Sequence, residues 1–543
     1  MEAGGQPGIP ARDANPVAEA PGVKRSSGRT RPLCARDVQF YRVCEDLTEA
    51  LIYAMVVFSP WAFGTTQPWS IWVMNGAGYL LGLMLACKVT IRRIKGYHPP
   101  RWDDGQRAEG GREESGVRGQ GGMAASRLTA MLAGLTVAIL GYCLISAVNA
   151  RSTFYRGDLS FAYHPSCINW LPHSFDGGRT WLAFWTYLGL ALSFWAIRDW
   201  LLGKADGEER GQRRKSQPGG DNSARLLPAR LRRLLWVLAL NGTLLGVEGI
   251  AQRLQGGGKL LFLVKPRVNP GADSQFGPYA YRANASQYFN LLWPVCLGFW
   301  WTVNRSFGFK RKAHHLILVG CAVMAACPII STSRAGALIT IGIVALAALL
   351  LSTTHFLLAS HQPQDRRTRN VTLACLFLFF TGALALGYAL GWKPLKPRMA
   401  HLSEGFGLRE RMYDAARPMA EDYPLFGTGP GTFESVFQLY RKSTHTDWPA
   451  QLHNDWLETR ITFGWLGSGL IALAFVAVVL RWFAPGGVHG GRRFIILIWL
   501  GLAGCLVHAR YDFPFQIHSI LFLFLVLCAI LFILTRRPGR GGA

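Results

Sequence analysis

The sequence predicts an all-α, polytopic membrane protein, and three observations carry that prediction. Apolar runs of membrane-spanning length recur from about Leu51 to Leu534, half of the residues are hydrophobic against 17% charged, and the positive charge is gathered between the runs. A soluble chain of this length would show several domain-sized stretches free of such runs, and none is found.

The first residues, 1–46, are rich in Gly, Pro, Ala and Arg and hold no apolar segment, which predicts a disordered basic cytoplasmic tail and not a cleavable signal peptide. About twelve spans follow. They are expected near 47–64, 70–91, 128–148, 180–198, 233–253, 286–303, 315–331, 335–353, 371–391, 456–480, 494–510 and 515–535. The organisation is then an N-terminal transmembrane region, 47–254, with basic insertions near 96–127 and 203–230, a second region, 255–535, and a short tail, 536–543.

A net charge of +26 would point to nucleic acid in a soluble protein. Here it fills connectors such as the one with Arg92, Arg93, Lys95 and Arg101 and the one with Arg213, Arg214, Lys215 and Arg225. Those connectors interleave Gly, Glu, Gln and Ser rather than aromatic residues, so no nucleic acid partner is expected; anionic membrane lipid is the plain partner. Starting the N-terminus inside makes every basic connector cytoplasmic, as the positive-inside rule requires, and returns the C-terminus to the same side. Eleven cysteines without C-x-x-C spacing, most of them inside apolar runs, indicate neither a zinc site nor a disulfide framework.

The outward connectors differ in kind. Segments 150–179, 255–285 and above all 392–455, a large periplasmic loop between spans nine and ten, carry Pro, Gly, His and aromatic residues and read as folded. In CPIISTSRAGALITI (327–341), Pro328 interrupts one apolar helix, Ser331, Thr332 and Ser333 can cap the next, and Arg334 stands at its N-terminus. A guanidinium beside a helix N-terminus suits phosphate; the plain alternative is an arginine that snorkels to headgroups.

In LRERMYDAARPMAEDYPLFGTGPGTF (408–433), Arg409 and Tyr413 share a helix face, and the Gly427–Gly431 run is either a turn or an anion-binding loop. His453 lies just before the next span, placed to accept a proton from a sugar hydroxyl or merely to touch headgroups. Arg282 and Asn284 open one span; His508, Arg510 and Asp512 close another. His508 and Asp512 are four apart, which favours a local ion pair over an Asp512 that orients His453.

Taken together, YAYRANASQYFNLLWP (279–294), STSRAGALITI (331–341), the 408–433 segment, LHNDWLETRITFGWLGSGL (452–470) and HARYDFPFQIHS (508–519) resemble, in order and approximate spacing, the O-antigen ligase and polymerase family of membrane glycosyltransferases. Tyr413 stands where many relatives carry Trp. The resemblance implies a GT-C-like helical fold, a catalytic region over 255–535, and a metal-independent, inverting transfer without cofactor in a bacterial inner membrane, with the active site periplasmic. The donor would be a polyprenyl-diphosphate-linked glycan and the acceptor a lipid A core, another lipid-linked glycan or a protein hydroxyl. It implies that His453 activates the acceptor while Arg334 and Arg409 hold the diphosphate, with Arg282 and Asp512 as secondary candidates. From another class, a lipid-linked glycan transporter would share the many spans, but the paired repeats typical of transporters are not seen.

Overall fold

The computed structural model describes residues 33–102, 116–205, 208, 227–307, 313–358, 366–441, 449–484, 488–489 and 491–535. The expected tail residues 1–32 and 536–543 and most of the two basic insertions lie outside the described residues.

In chain order the helices are α1 (Ala35–Trp61), α2 (Pro68–Ile94), α3 (Gly116–Val148), α4 (Gly177–Leu202), α5 (Ala229–Gln255), α6 (Arg282–Phe307), α7 (His315–Ile330), α8 (Arg334–Leu358), α9 (Arg366–Gly387), α10 (Lys393–Ala400), α11 (Leu402–Asp422), α12 (Phe433–Val436), α13 (Asp455–Arg481), α14 (Arg492–His508) and α15 (His518–Ile533). Each expected span overlaps one of them. Seven stretches, in α2, α3, α4, α5, α8, α13 and α9 with its continuation into α10, are long and apolar enough to cross a membrane, which marks a polytopic membrane protein. Large apolar side chains such as Phe377, Leu378, Leu349 and Leu473 are exposed on these helices, as a lipid-facing surface requires.

α6 and α15 form the centre of the bundle. Leu291, Leu292, Trp293, Val295, Cys296, Leu297, Phe299 and Trp300 of α6 are fully buried, as are Val526, Leu527, Ala529 and Ile530 of α15. Because protein surrounds α6 on every side, it can carry polar residues that lipid would reject: Asn290 donates to the Gly336 carbonyl at 3.0 Å and accepts from Thr340 at 2.6 Å. Close helix approach needs small residues, and Gly78 of α2 shows why, since a Cβ there would lie 2.4 Å from the Gly189 carbonyl oxygen of α4.

Two expectations about the ends of elements are corrected. Helix α1 begins at Ala35, inside the stretch expected to be disordered. Asp37 accepts from the Cys34 N–H at 3.1 Å and pairs with Lys95 at 3.2 Å, and Tyr41 packs edge-on to Tyr97, so the polar extension is held by contacts rather than by hydropathy. Likewise α7 runs through Pro328 to Ile330, and the break falls at Ser331–Ser333, where Thr332 takes a left-handed φ of 62°.

The large outward loop is indeed folded: α10, α11 and α12 occupy it, and Phe175 of the 150–179 segment joins Tyr413, Ala416, Met419, Phe433, Val436 and Phe437 in one apolar cluster. That segment begins with a hairpin, β1 (Ser152–Tyr155) against β2 (Ser160–Tyr163). At the far end of the chain, β3 (Val488–His489) and β4 (Leu534–Thr535) make a short parallel pair. The Gly427–Gly431 run proves to be a turn. The N–H groups of Thr428 and Gly429 are spent on the carbonyls of Ile461 and Thr462, at 2.9 and 3.0 Å, and Trp465 and Leu466 return bonds to Pro424 and Leu425. This exchange is possible because α13 kinks at Gly464, whose φ of 60° and ψ of −168° no L residue adopts readily. It locks the loop to the start of α13 and so fixes the residues just before that helix.

Candidate functional site

His453 sits immediately ahead of α13 with a left-handed φ of 56°. For a non-glycine residue that conformation costs on the order of 1–3 kcal/mol and persists only where its surroundings over-determine it. Here they do. Tyr413 donates from its hydroxyl to the His453 carbonyl at 2.7 Å, Asn454 caps α13 by accepting from the Leu457 N–H at 3.2 Å, and the Asp455 N–H reaches the Ala509 carbonyl at 2.8 Å. Asp455 itself is buried and accepts from the Phe515 N–H at 2.7 Å, so of the His-Asn-Asp triplet it is the histidine whose side chain pairs with Asp512.

The His453 side chain, 30% exposed, lies edge-on to Phe513 and Tyr281, and its Nδ1 is 2.9 Å from Asp512 Oδ1. The local His508–Asp512 pair expected from their spacing does not form. α14 ends at His508, the chain turns, and the Asp512 carboxylate swings to His453 and to Arg409, whose Nη2 is 3.5 Å away. His508 is buried with neither ring nitrogen hydrogen-bonded among the described residues. Tyr281 closes the cluster: its hydroxyl donates to Asp512 Oδ2 at 3.2 Å and accepts from Arg409 at 3.3 Å. Burial alone would raise the Asp512 carboxyl, but the hydrogen bond and charge of His453, with Arg409 and His508 beyond, overcome it and hold the group down to about 2. An ionised Asp512 keeps the proton on Nδ1 and leaves Nε2 of His453 with its lone pair.

Beside this cluster opens a cavity of about 410 Å³, lined by Tyr281, Arg282, Ser333, Arg334, Arg398, Arg409, Tyr511 and Asp512 at its polar end and by Ala335, Leu338, Ile339 and Val507 along its apolar side. Leu338 and Val507 are 47% and 53% exposed, so the apolar side opens outward on the lipid-facing surface. Arg334 is the first residue of α8, where the helix dipole adds partial positive charge, and donates to the His401 carbonyl at 2.9 Å. Arg282 opens α6 and donates to the Asp273 carbonyl, and Arg409 donates to the Tyr511 carbonyl. Arg398, on α10, has no hydrogen-bond or ion-pair partner among the described residues, yet lies close enough to Arg282 and Arg334 to feel their charge. Four cations thus share a cavity whose one carboxylate is committed to His453 and Arg409, an arrangement that binds a multiply charged anion.

The structure brings together His453, Arg334, Arg409, Arg282 and Asp512. Asn284 is buried with its carbonyl oxygen unpartnered among the described residues, away from the cavity lining, and Arg510 lines a separate cleft. Sequence reasoning missed Arg398 and the hydroxyls of Tyr281 and Tyr413. For Arg398 a signal was present: Lys393, Lys396 and Arg398 cluster at the end of a span expected to face outward, where the positive-inside rule makes basic residues scarce.

A comparison with curated proteins finds no match. A comparison with family models matches residues 319–472 to O-antigen ligase, a stretch that includes Arg334, Arg398, Arg409 and His453 and leaves Tyr281, Arg282 and Asp512 outside. The family that the motifs resemble is therefore also the one that the matched segment supports: over the stretch holding its histidine and three of its four cavity arginines, this chain is similar to the O-antigen ligases.

Proposed function

We propose that the protein is a membrane glycan transferase of the ligase type, moving an oligo- or polysaccharide from a polyprenyl diphosphate to an acceptor hydroxyl. The observation that carries this reading is a carboxylate-oriented imidazole beside four guanidinium groups, in a cavity whose other side is apolar and open outward. A polyprenyl chain would approach along Leu338, Ile339 and Val507 with its diphosphate drawn up to the arginines. With about twelve spans and the basic connectors cytoplasmic by the positive-inside rule, both termini are cytoplasmic and the site lies on the opposite face. The likeness to O-antigen ligases supports reading that face as the periplasmic one of a bacterial inner membrane.

In this reaction the acceptor O–H gives its proton to Nε2 of His453 while its oxygen bonds to the anomeric carbon. The bond from that carbon to the diphosphate oxygen breaks with its electron pair, and Arg334, Arg398, Arg409 and Arg282 stabilise the charge that develops. Attack opposite the departing diphosphate inverts the anomeric configuration. Asp512 remains ionised throughout and stabilises the imidazolium.

The test is transfer of a labelled polyprenyl-diphosphate-linked glycan by the purified protein in EDTA, wild type against His453→Ala, with lipid A core, a second lipid-linked glycan and acceptor protein supplied in turn. A loss on the order of 10²–10⁴-fold in the variant is the expected result, and the labelled acceptor separates ligase from polymerase or protein transferase. Undiminished transfer by the variant overturns the role of His453. Passage of the donor across reconstituted vesicles with no acceptor labelled would make the protein a transporter instead.

A further inference from the structure

A second cleft, of about 320 Å³, adjoins the same residues from the other side and is lined by Tyr413, Arg417, Asn454, Trp456, Leu457, Arg460 and Arg510. Two elements contribute to both spaces, and the segment that carries His453 lies beside them. Arg409 and Tyr413 lie one turn apart on α11, Tyr511 and Arg510 are consecutive, and Asn454 follows the histidine that pairs with Asp512. His453 therefore stands in the partition between two arginine-lined spaces.

The second space differs from the first in chemistry. Its lining is mostly polar, and it presents Trp456, 55% exposed, with its indole N–H tied to the Leu506 carbonyl at 3.0 Å so that the ring is held in place. A fixed, exposed aromatic ring offers a face for the C–H side of a sugar. No carboxylate lines the cleft. Arg417 is drawn to Asp414 and, at 3.8 Å, to Glu410 on α11, and Arg460 braces the Pro424 carbonyl at 2.8 Å and stacks on Trp465. Arg510 touches only the rings of Tyr413 and Tyr511 and has no hydrogen-bond or ion-pair partner among the described residues. An exposed arginine without a carboxylate, next to an exposed tryptophan and one residue from the donor cavity, is arranged to meet an anionic sugar.

We propose that this cleft is the acceptor subsite and that it selects a glycan bearing an anionic substituent, phosphate or carboxylate, close to the hydroxyl that attacks. This rests on the transferase reading and adds the chemical class of the acceptor to it. Arg510 holds the anion with Arg417 beside it, Trp456 supports the ring, and the neighbouring hydroxyl reaches Nε2 of His453 across the partition.

The test is equilibrium binding, without donor, of a phosphorylated core oligosaccharide and of the same material after chemical dephosphorylation, to the purified full-length protein in detergent. A uronate-containing oligosaccharide and its carboxyl-reduced form make a parallel arm that separates phosphate from carboxylate. Wild type is expected to bind at least one anionic form on the order of tenfold more tightly than its neutral counterpart, since charge-assisted contacts are the stronger class. Arg510→Gln, and more fully Arg417→Gln/Arg510→Gln, should remove that preference; Arg510→Lys should keep part of it and controls for folding; Arg334→Gln in the donor cavity should leave it intact. Equal binding of charged and neutral forms in both arms would overturn the proposal, as would a preference abolished by Arg334→Gln alone. Because the readout is binding without turnover, failure of the transfer reaction would strike the transferase reading and leave this result separate.

Discussion

The two ends of the helix bundle handle buried charge in opposite ways. At the end with the basic connectors, Lys88 is fully buried, but Glu45 lies 2.9 Å and Asp199 3.3 Å from its ammonium, Asp199 also holds Arg92 at 2.8 Å and Arg101 at 2.9 Å, and Glu45 takes Arg230. At the other end, four arginines line a cavity in which the one carboxylate, Asp512, is shared between Arg409 and His453. There two carboxylates serve four cations, each cation in contact with at least one of them, and this pairing ties α1, α2, α4 and α5 together. Cations that no carboxylate contacts are costly in the apo protein and persist where an anion completes them.

That contrast can be broken by exchanging the two kinds of charge. The largest effect on stability is expected from Lys88→Ala: removing the fully buried ammonium leaves a cavity where Glu45 and Asp199 keep only their arginine partners and costs roughly 2–5 kcal/mol of stability, seen as a lower midpoint for thermal unfolding in detergent, while the folded fraction keeps its donor affinity. Asp512→Asn should lower the rate of transfer by on the order of 10²–10³-fold with little change in donor binding, because it frees the imidazole to take the wrong tautomer; single-turnover rates check it. Arg398→Gln should weaken donor binding on the order of tenfold and leave thermal stability unchanged or slightly higher, since the residue has no partner to lose and like charges to escape.

The effect confined to the narrowest conditions concerns pH. The Asp512 carboxyl is depressed from 3.8 to about 2, so its contribution, about 2 kcal/mol, is fully present above the ordinary carboxylate range and is lost only as pH falls from about 4 toward about 2. The wild type should therefore lose more stability than Asp512→Asn across that interval and run parallel to it above pH 5, in a pH series of unfolding midpoints.

Much of this was legible before the structure. Apolar runs mark where helices lie because lipid and the bundle core both demand them, and each expected span overlaps a helix. Hydropathy could not show that α1 extends back to Ala35, because that extension is held by Asp37 with Lys95 and by Glu45 with Lys88, contacts that a window average counts against a helix. His453, Arg334 and Arg409 could be named from their motifs. The partner of His453 could not, because the choice between His508 and His453 for Asp512 depends on α14 stopping at His508. Arg398 escaped because KPLKPRM reads as an ordinary solvated charge run until α10 folds it over the cavity mouth beside Arg334.

The most direct test of the surplus-charge reading is equilibrium binding of a polyprenyl diphosphate, carrying no glycan, to the purified protein, comparing wild type, Arg334→Gln/Arg398→Gln and Arg92→Gln. If arginines without a carboxylate make the donor site, the double variant loses binding by on the order of a hundredfold while Arg92→Gln, taken from the cluster in which each cation contacts a carboxylate, binds as wild type. Undiminished binding by the double variant, or an equal loss in both, would contradict it.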